Sequence, residues 1–160
     1  MEIYKKLKGQ ALSFDFLISA AIFILILAIL LTQVGNSAKE LNEIREKNEM
    51  IQEAYKLSEI FFNKGYPENW NSTNVKIIGL QKDNRIDWNK LKSLEKIGYQ
   101  KSLILLGLKN DYNFTIFNDT TPIYSFGKNT EKTSSIMKVD RISILNGSIV
   151  SIQILVFNYD

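Results

Sequence analysis

From Phe16 to Leu31 the chain reads FLISAAIFILILAILL, with neither a charge nor a proline. Ala11 to Phe14 before it and Val34 after it extend the apolar stretch to roughly twenty residues, interrupted by Asp15, and about 20 residues rising 1.5 Å each cross a ~30 Å hydrocarbon layer. A soluble protein burying such a helix needs an apolar shell on every side of it. The remaining ~125 residues, mostly polar, cannot supply that shell. The stretch therefore predicts a membrane-spanning helix. A secretory signal peptide fits less well, because its apolar region runs about 7–15 residues and ends in a small-x-small site. Here the run is longer, and Gly35, Ser37 and Ala38 follow a Thr-Gln break.

Charge sets the expected orientation. Lys5, Lys6 and Lys8 precede the span, whereas Thr32, Gln33, Gly35, Asn36 and Ser37 after it are neutral. The positive-inside rule keeps the N-terminus cytoplasmic and sends the rest outside, as a single-pass protein of the cell membrane. Four Asn-x-Ser/Thr motifs follow, and their candidate N-glycosylation acceptors are Asn71, Asn113, Asn118 and Asn146.

Composition narrows the function classes. The chain has no Cys and no His. That excludes disulfides, thiolate nucleophiles and the usual zinc or iron–sulfur sites, and removes the commonest general base. Gly79, Gly98 and Gly107 are isolated, so no phosphate-cradling loop is present. The surplus of three positive charges is scattered along the chain, which argues against a nucleic-acid partner. The expectation is no enzyme, no catalytic residues, and no cofactor or metal. The lipid bilayer is the expected partner.

Beyond the span, Val34, Ala38, Leu41, Ile44, Ile51, Ala54, Leu57 and Phe61 recur mostly three or four apart among Lys39, Glu40, Glu43, Arg45, Glu46, Lys47 and Glu53. This predicts an amphipathic helix that continues the apolar one as a rod lying on a domain. The charged run from Lys39 to Glu49 reads as its solvated face. Gly65-Tyr66-Pro67 ends it, with Gly65 as C-cap. Val75 to Gly79 predicts a short strand, Asp87 an N-cap for a helix from Trp88 to Ile97, and Tyr99 to Leu106 a further helix. Trp70 and Pro67 read as a loop anchored on the core. Tyr112 to Asn118 alternates with period two. Ile136 to Leu145 and Ser148 to Asn158 flank Asn146-Gly147, the strongest short hairpin signal. The fold class is α+β: a long N-terminal helix packed on a small antiparallel sheet. The expected organisation is a basic leader over 1–9, a transmembrane helix over 10–34, an amphipathic helix over 35–64 and an outer α+β head over 65–160.

The stretch Lys8-Gly9-Gln10-Ala11-Leu12-Ser13-Phe14-Asp15-Phe16-Leu17 resembles the class III signal peptides of archaeal type IV pilins and pilin-like proteins. GYPENW from Gly65 to Trp70, NVKIIGL from Asn74 to Leu80, the segment holding Lys90 and Leu91, and RISILNGSIV from Arg141 to Val150 are also similar to such proteins. The resemblance implies a prepilin peptidase cutting between Gly9 and Gln10 ahead of a retained helix. It further implies a pilin-like fold, a surface filament as destination, and other pilin-like subunits as partners through the helix. Asp15 would then pair with the positive N-terminus of a neighbouring subunit. The family's usual pattern places Ser and an acidic residue third and fifth in the mature chain; here Ser13 is fourth and Asp15 sixth. One residue rotates the carboxylate by about 100° around the helix. The rival reading is a single-pass surface protein that never polymerises and whose outer domain binds a partner.

Overall fold

The computed structural model describes residues 2–131, 133 and 135–158, with side chains from residue 14 onward. The chain falls into two compact units, Met1–Arg45 and Glu46–Asp160. One helix, α1 (Glu2–Phe61), passes through both. It starts ahead of the predicted boundary at residue 10, and Gly35 does not interrupt it. It also stops short of residue 64. Phe62 N and Asn63 N donate to Ser58 O and Ile60 O at 3.2 and 3.1 Å, and Asn63 Nδ2 returns to Glu59 O at 2.9 Å. These bonds satisfy the terminal carbonyls that a helix leaves open. Gly65, expected as the C-cap, instead serves the following turn.

That turn begins a loop from residue 62 to 80. Tyr66 pairs with Ile77 in an isolated antiparallel bridge, and Trp70 Nε1 donates to Gly79 O at 2.7 Å. Gly65 has φ +74°, and a Cβ there would meet Trp70 Nε1 at 2.6 Å. Gly79 is fixed by space: a Cβ would collide with the backbone of Asn63 and Gly65. Trp70 is buried, so the loop is anchored on the core as its sequence predicts. The strand predicted over Val75–Gly79 does not form. Its backbone bonds go to the loop itself, Val75 N to Asn71 O and Lys76 N and Ile77 N to Tyr66 O, and only the next residue reaches α1, with Leu80 N donating to Phe61 O at 3.0 Å.

Two short strands follow, β1 (Gln81–Lys82) and β2 (Arg85–Ile86), turned by Asp83 and Asn84 at φ 51° and 59°. Asp87 caps α2 (Trp88–Ile97), accepting from Asn89 N at 2.7 Å and Lys90 N at 3.3 Å. Leu91, Leu94 and Ile97 are its buried face, as their spacing predicts. Gly98 ends α2, and α3 (Tyr99–Leu106) closes on Gly107 in the left-handed region. The rest is β3 (Asp111–Asn118), β4 (Thr121–Gly127), β5 (Ser135–Leu145) and β6 (Ser148–Asn158).

Among the described residues, these strands form one six-stranded sheet in the order β1-β2-β5-β6-β3-β4. Every pairing is antiparallel except β2 with β5, which touch in parallel at Ile86 and Leu145. The β5–β6 hairpin keeps register from Leu145↔Ser148 to Ser135↔Asn158, and Asn146 and Gly147 both take positive φ, as a two-residue primed turn requires. β4 is an edge strand, which is where a strand tolerates a residue such as Pro122 with no N–H to give.

The core joins the last turns of α1 to one face of this sheet. Ala54, Leu57 and Phe61 pack with Leu91 and Leu94 of α2, Tyr112, Phe114 and Ile116 of β3, and Ile152, Ile154 and Val156 of β6. The Phe61 ring meets Phe114 edge-on at 4.8 Å between centroids. Each fully buried Leu or Phe contributes about 1.5–3 kcal/mol relative to exposure. The fold class is therefore α+β, a long N-terminal helix packed on a mostly antiparallel sheet. The predicted apolar stripe is buried only at its end: Ala54, Leu57 and Phe61 are covered, whereas Val34, Leu41, Ile44 and Ile51 are exposed, and Met50, outside the predicted stripe, is buried where Ile51 was expected to be. The periodicity marked an amphipathic face, and only tertiary packing decides how much of it finds a partner.

Candidate functional site

The feature that sets this molecule apart is an apolar helix surface open to its surroundings. Over the described part of α1, Phe14–Phe61, an 18-residue window reaches a mean hydropathy of 2.8, and none of that window is buried. Phe16 is 72% exposed, Phe23 65% and Leu31 64%. The side chains between them are exposed too, apart from the half-buried Ala20. Monomeric soluble proteins rarely leave apolar patches above a few hundred Å² uncovered, so a surface of this kind marks a contact with lipid or with other protein. By length and composition it suits a single membrane span or a signal sequence. Within it, Thr32 Oγ1 donates to Ile29 O at 2.8 Å, which satisfies the hydroxyl inside the helix, as an apolar surrounding demands.

Asp15 lies one residue before the charge-free run, on the helix and exposed. Gly9 and Gln10, the pair at which the resemblance implies cleavage, fall on the helical backbone of α1, but outside the residues whose side chains are described. The run therefore carries this carboxylate at its N-terminal end, where an ionised group costs less than at the centre of a bilayer.

The last turns of α1 are held in the head by polar contacts as well as by the core. Glu53 accepts from Lys109 N at 3.0 Å through Oε1, and from Asn110 N at 3.2 Å and Asn110 Nδ2 at 3.1 Å through Oε2. Glu49, within the run expected to be solvated, pairs with Lys109 Nζ at 3.3 Å. Arg141 Nε of β5 donates to the buried Ser58 hydroxyl at 2.7 Å. Sequence reasoning missed these clamps, because each partner lies more than fifty residues away and nothing local marks it.

The head carries other polar features that its sequence does not announce. Lys90 is buried, and its Nζ donates to Lys64 O at 2.5 Å and Gln81 O at 2.8 Å, tying α2 to the loop after α1. Burial holds the Lys90 ammonium below the usual lysine range, partly offset by Asp87 and Glu68. Tyr112 is buried with its hydroxyl 2.6 Å from Ser102 Oγ, and burial pushes it up to about 12. Among the described residues, no three carboxylates converge in a group that would hold a metal ion. A cleft of about 300 Å³ beside Trp70 is lined by Glu68, Asn69, Lys82, Asp87 and Lys90. Its acids are already engaged: Asp87 caps α2, and Glu68 pairs with Lys64 at 2.9 Å.

The four sequon asparagines lie on different parts of the head. Asn71 sits in the exposed loop before β1, Asn118 at the β3–β4 turn and Asn146 at the β5–β6 turn, all exposed, whereas Asn113 is half-buried within β3. The structure does not bring them together.

The architecture, a long apolar N-terminal helix whose far end packs on an antiparallel sheet, is consistent with a pilin-like fold. Comparison of the chain with protein-family models, with curated proteins and with solved structures finds no match.

Proposed function

We propose that this chain is a type IV pilin-like structural subunit, made as a membrane-anchored precursor and assembled through its hydrophobic helix. One observation carries the reading. A single helix is apolar and uncovered over its first described half, and its last turns are built into the core of the head. A cleavable signal peptide has no reason to share a helix with the core. An assembly helix does, because it must pull the folded head with it when it leaves the membrane.

In this reading, Lys5, Lys6 and Lys8 hold the N-terminus inside while the helix parks the precursor in the bilayer. A prepilin peptidase removes residues 1–9 and leaves Gln10 first, and an ATPase-driven platform then draws the mature helix out of the lipid. Helix–helix contacts replace lipid contacts at little net cost, since lipid tails are as apolar as Leu. The exposed Val34, Leu41 and Ile44 extend that contact surface beyond the span. Filament growth needs heterologous contacts that do not close, and a helix and a head presenting different surfaces provide them. The partners are the bilayer, the peptidase and other pilin-like subunits; the chain itself performs no catalysis.

N-terminal sequencing of the protein from membranes with an active prepilin peptidase tests this directly. The expected first residue is Gln10, and an intact Met1 contradicts the reading. The position of Asp15, sixth rather than fifth after the cut, favours a second reading: a non-polymerising surface protein whose head binds a partner. Electron microscopy of surface appendages from cells carrying a tagged chain separates the two. Label along filaments supports assembly, and label confined to the membrane supports the alternative.

A further inference from the structure

The four sequons are alike in sequence and unlike in structure. N-glycosylation joins the carboxamide nitrogen of Asn to a sugar, so the transferase must reach both Nδ2 and the Ser/Thr hydroxyl two residues on. At Asn113 neither is free. Its Nδ2 donates to Lys128 O at 3.0 Å, and its Oδ1 accepts from Thr115 Oγ1 at 2.7 Å. Thr115 is buried, and its hydroxyl also lies 3.1 Å from Ser125 Oγ on β4. All three residues of that sequon lie in β3, between β4 and β6. Modification there would break β3 away from its neighbours β4 and β6.

Asn71 differs on each point. Asn71 and Thr73 are exposed and belong to no strand. Its Oδ1 accepts from Thr73 N at 2.9 Å, Thr73 Oγ1 at 2.7 Å and Asn74 N at 3.3 Å, while Nδ2 has no partner among the described residues. The sequon hydroxyl is thus already seated on the carboxamide that must react. Donors on the amide oxygen draw electron density from nitrogen and make Nδ2–H more acidic, the direction needed for a nitrogen that gives up a proton as its new bond forms. Asn118 and Asn146 are exposed but tied to tight turns. Asn118 pairs with Thr121, and Ser148, the third residue of the Asn146 sequon, pairs with Leu145. A transferase gripping three successive residues has to open a ladder end at either one.

We propose that Asn71 is the principal N-glycan acceptor of this chain, and that Asn113, with the same motif, is closed to modification by the fold. The donor is an oligosaccharide linked to a lipid through phosphate. Nδ2 of Asn71 attacks the anomeric carbon, the carbon–oxygen bond to phosphate breaks, and the lipid phosphate leaves with the electron pair. Nδ2 loses its proton to a base of the transferase, and nothing is oxidised or reduced. The inference rests on the outward orientation of the head proposed above.

The test is glycopeptide mass spectrometry on the full-length protein, purified from membranes of a cell that N-glycosylates its surface proteins. The highest occupancy is expected at Asn71, lower occupancy at Asn118 and Asn146, and none at Asn113. Asn71→Gln and Thr73→Ala, which keeps Asn71 but removes the hydroxyl, should each abolish the main glycan mass. Asn113→Gln should leave it unchanged. A glycan on Asn113, or highest occupancy at any position but Asn71, overturns the proposal. Protease added to intact cells separates this failure from that of the orientation. A digestible head with a bare Asn71 overturns this proposal alone, whereas a protected, unglycosylated head overturns the orientation and the proposal with it.

Discussion

Two stretches of α1 share a backbone conformation and differ in everything that surrounds it. Between residues 16 and 31 apolar side chains occupy all faces, and nearly all are exposed. Between residues 50 and 61, Met50, Ala54, Leu57 and Phe61 form one narrow face that is buried to within 1%, while Tyr55, Lys56 and Glu59 on the other faces stay exposed. A helix that needs one partner surface shows a stripe; a helix that needs an apolar solvent shows no stripe at all. The contrast assigns the first stretch to an apolar surrounding and the second to the head.

The sharpest way to break the contrast is to make the first stretch resemble the second. Ile24→Lys together with Leu27→Lys places two charges mid-span, at a cost of roughly 5–7 kcal/mol for insertion. The expected outcome is loss of co-sedimentation with lipid vesicles when the chain is synthesised in their presence, and the head's circular dichroism should stay native. The converse change empties the core. Phe61→Ala removes a fully buried ring in contact with Phe114 and Tyr112. It should lower head stability by about 3–5 kcal/mol in a urea melt and leave membrane association intact.

A smaller effect follows from pH. Tyr112 in the fold keeps its proton up to about 12, because burial disfavours the phenolate more than the Ser102 hydrogen bond favours it, whereas an unfolded Tyr releases its proton near 10. Between those values the unfolded state binds fewer protons, so stability falls as pH rises. Tyr112 should cost the head on the order of 2–3 kcal/mol between about pH 10 and 12 and nothing below about 10. Thermal melts across that window check the assignment: Tyr112→Phe should lessen the loss without removing it, because burial also raises Tyr99 and Tyr124. The smallest effect lies between the two stretches. Nothing lies within 4 Å of a Cβ added at Gly35, which is helical and has ordinary φ. Gly35→Ala should therefore raise helix stability by about 0.5–1 kcal/mol, readable as slower amide exchange around residue 35.

The parts of this molecule legible in its sequence are those whose cause is local. Asp87 caps α2 because its side chain reaches its own next residues, and Asn146-Gly147 turns the hairpin because both residues accept positive φ. The all-round apolar span was legible for the same reason: its signal lies in neighbouring residues. What escaped notice depends on distant partners. VKIIG has strand composition, but the chain beside it is the end of α1 and not a strand, so only the Tyr66–Ile77 bridge forms. β4 was hidden by Pro122, which is tolerated there because the strand sits at the edge of the sheet. The pair Asp83-Asn84, two residues suited to positive φ, was the signal for the β1–β2 turn. Glu53 and Lys90 carried no signal, since their partners at Lys109, Asn110 and Lys64 are set by tertiary packing alone. In the site itself, the exposed apolar helix was read from sequence. The engagement of the Asn113 carboxamide was not, because a sequon says nothing about the neighbours that will claim it.

The proposed function requires the residues from 14 to 34 to rest in a lipid bilayer until they are assembled. Cells making the full chain in the absence of prepilin peptidase, broken without detergent and spun at high speed, test it most directly. The protein should pellet with membranes and stay there through an alkaline carbonate wash. Recovery of the intact, unaggregated chain in the supernatant would contradict the account.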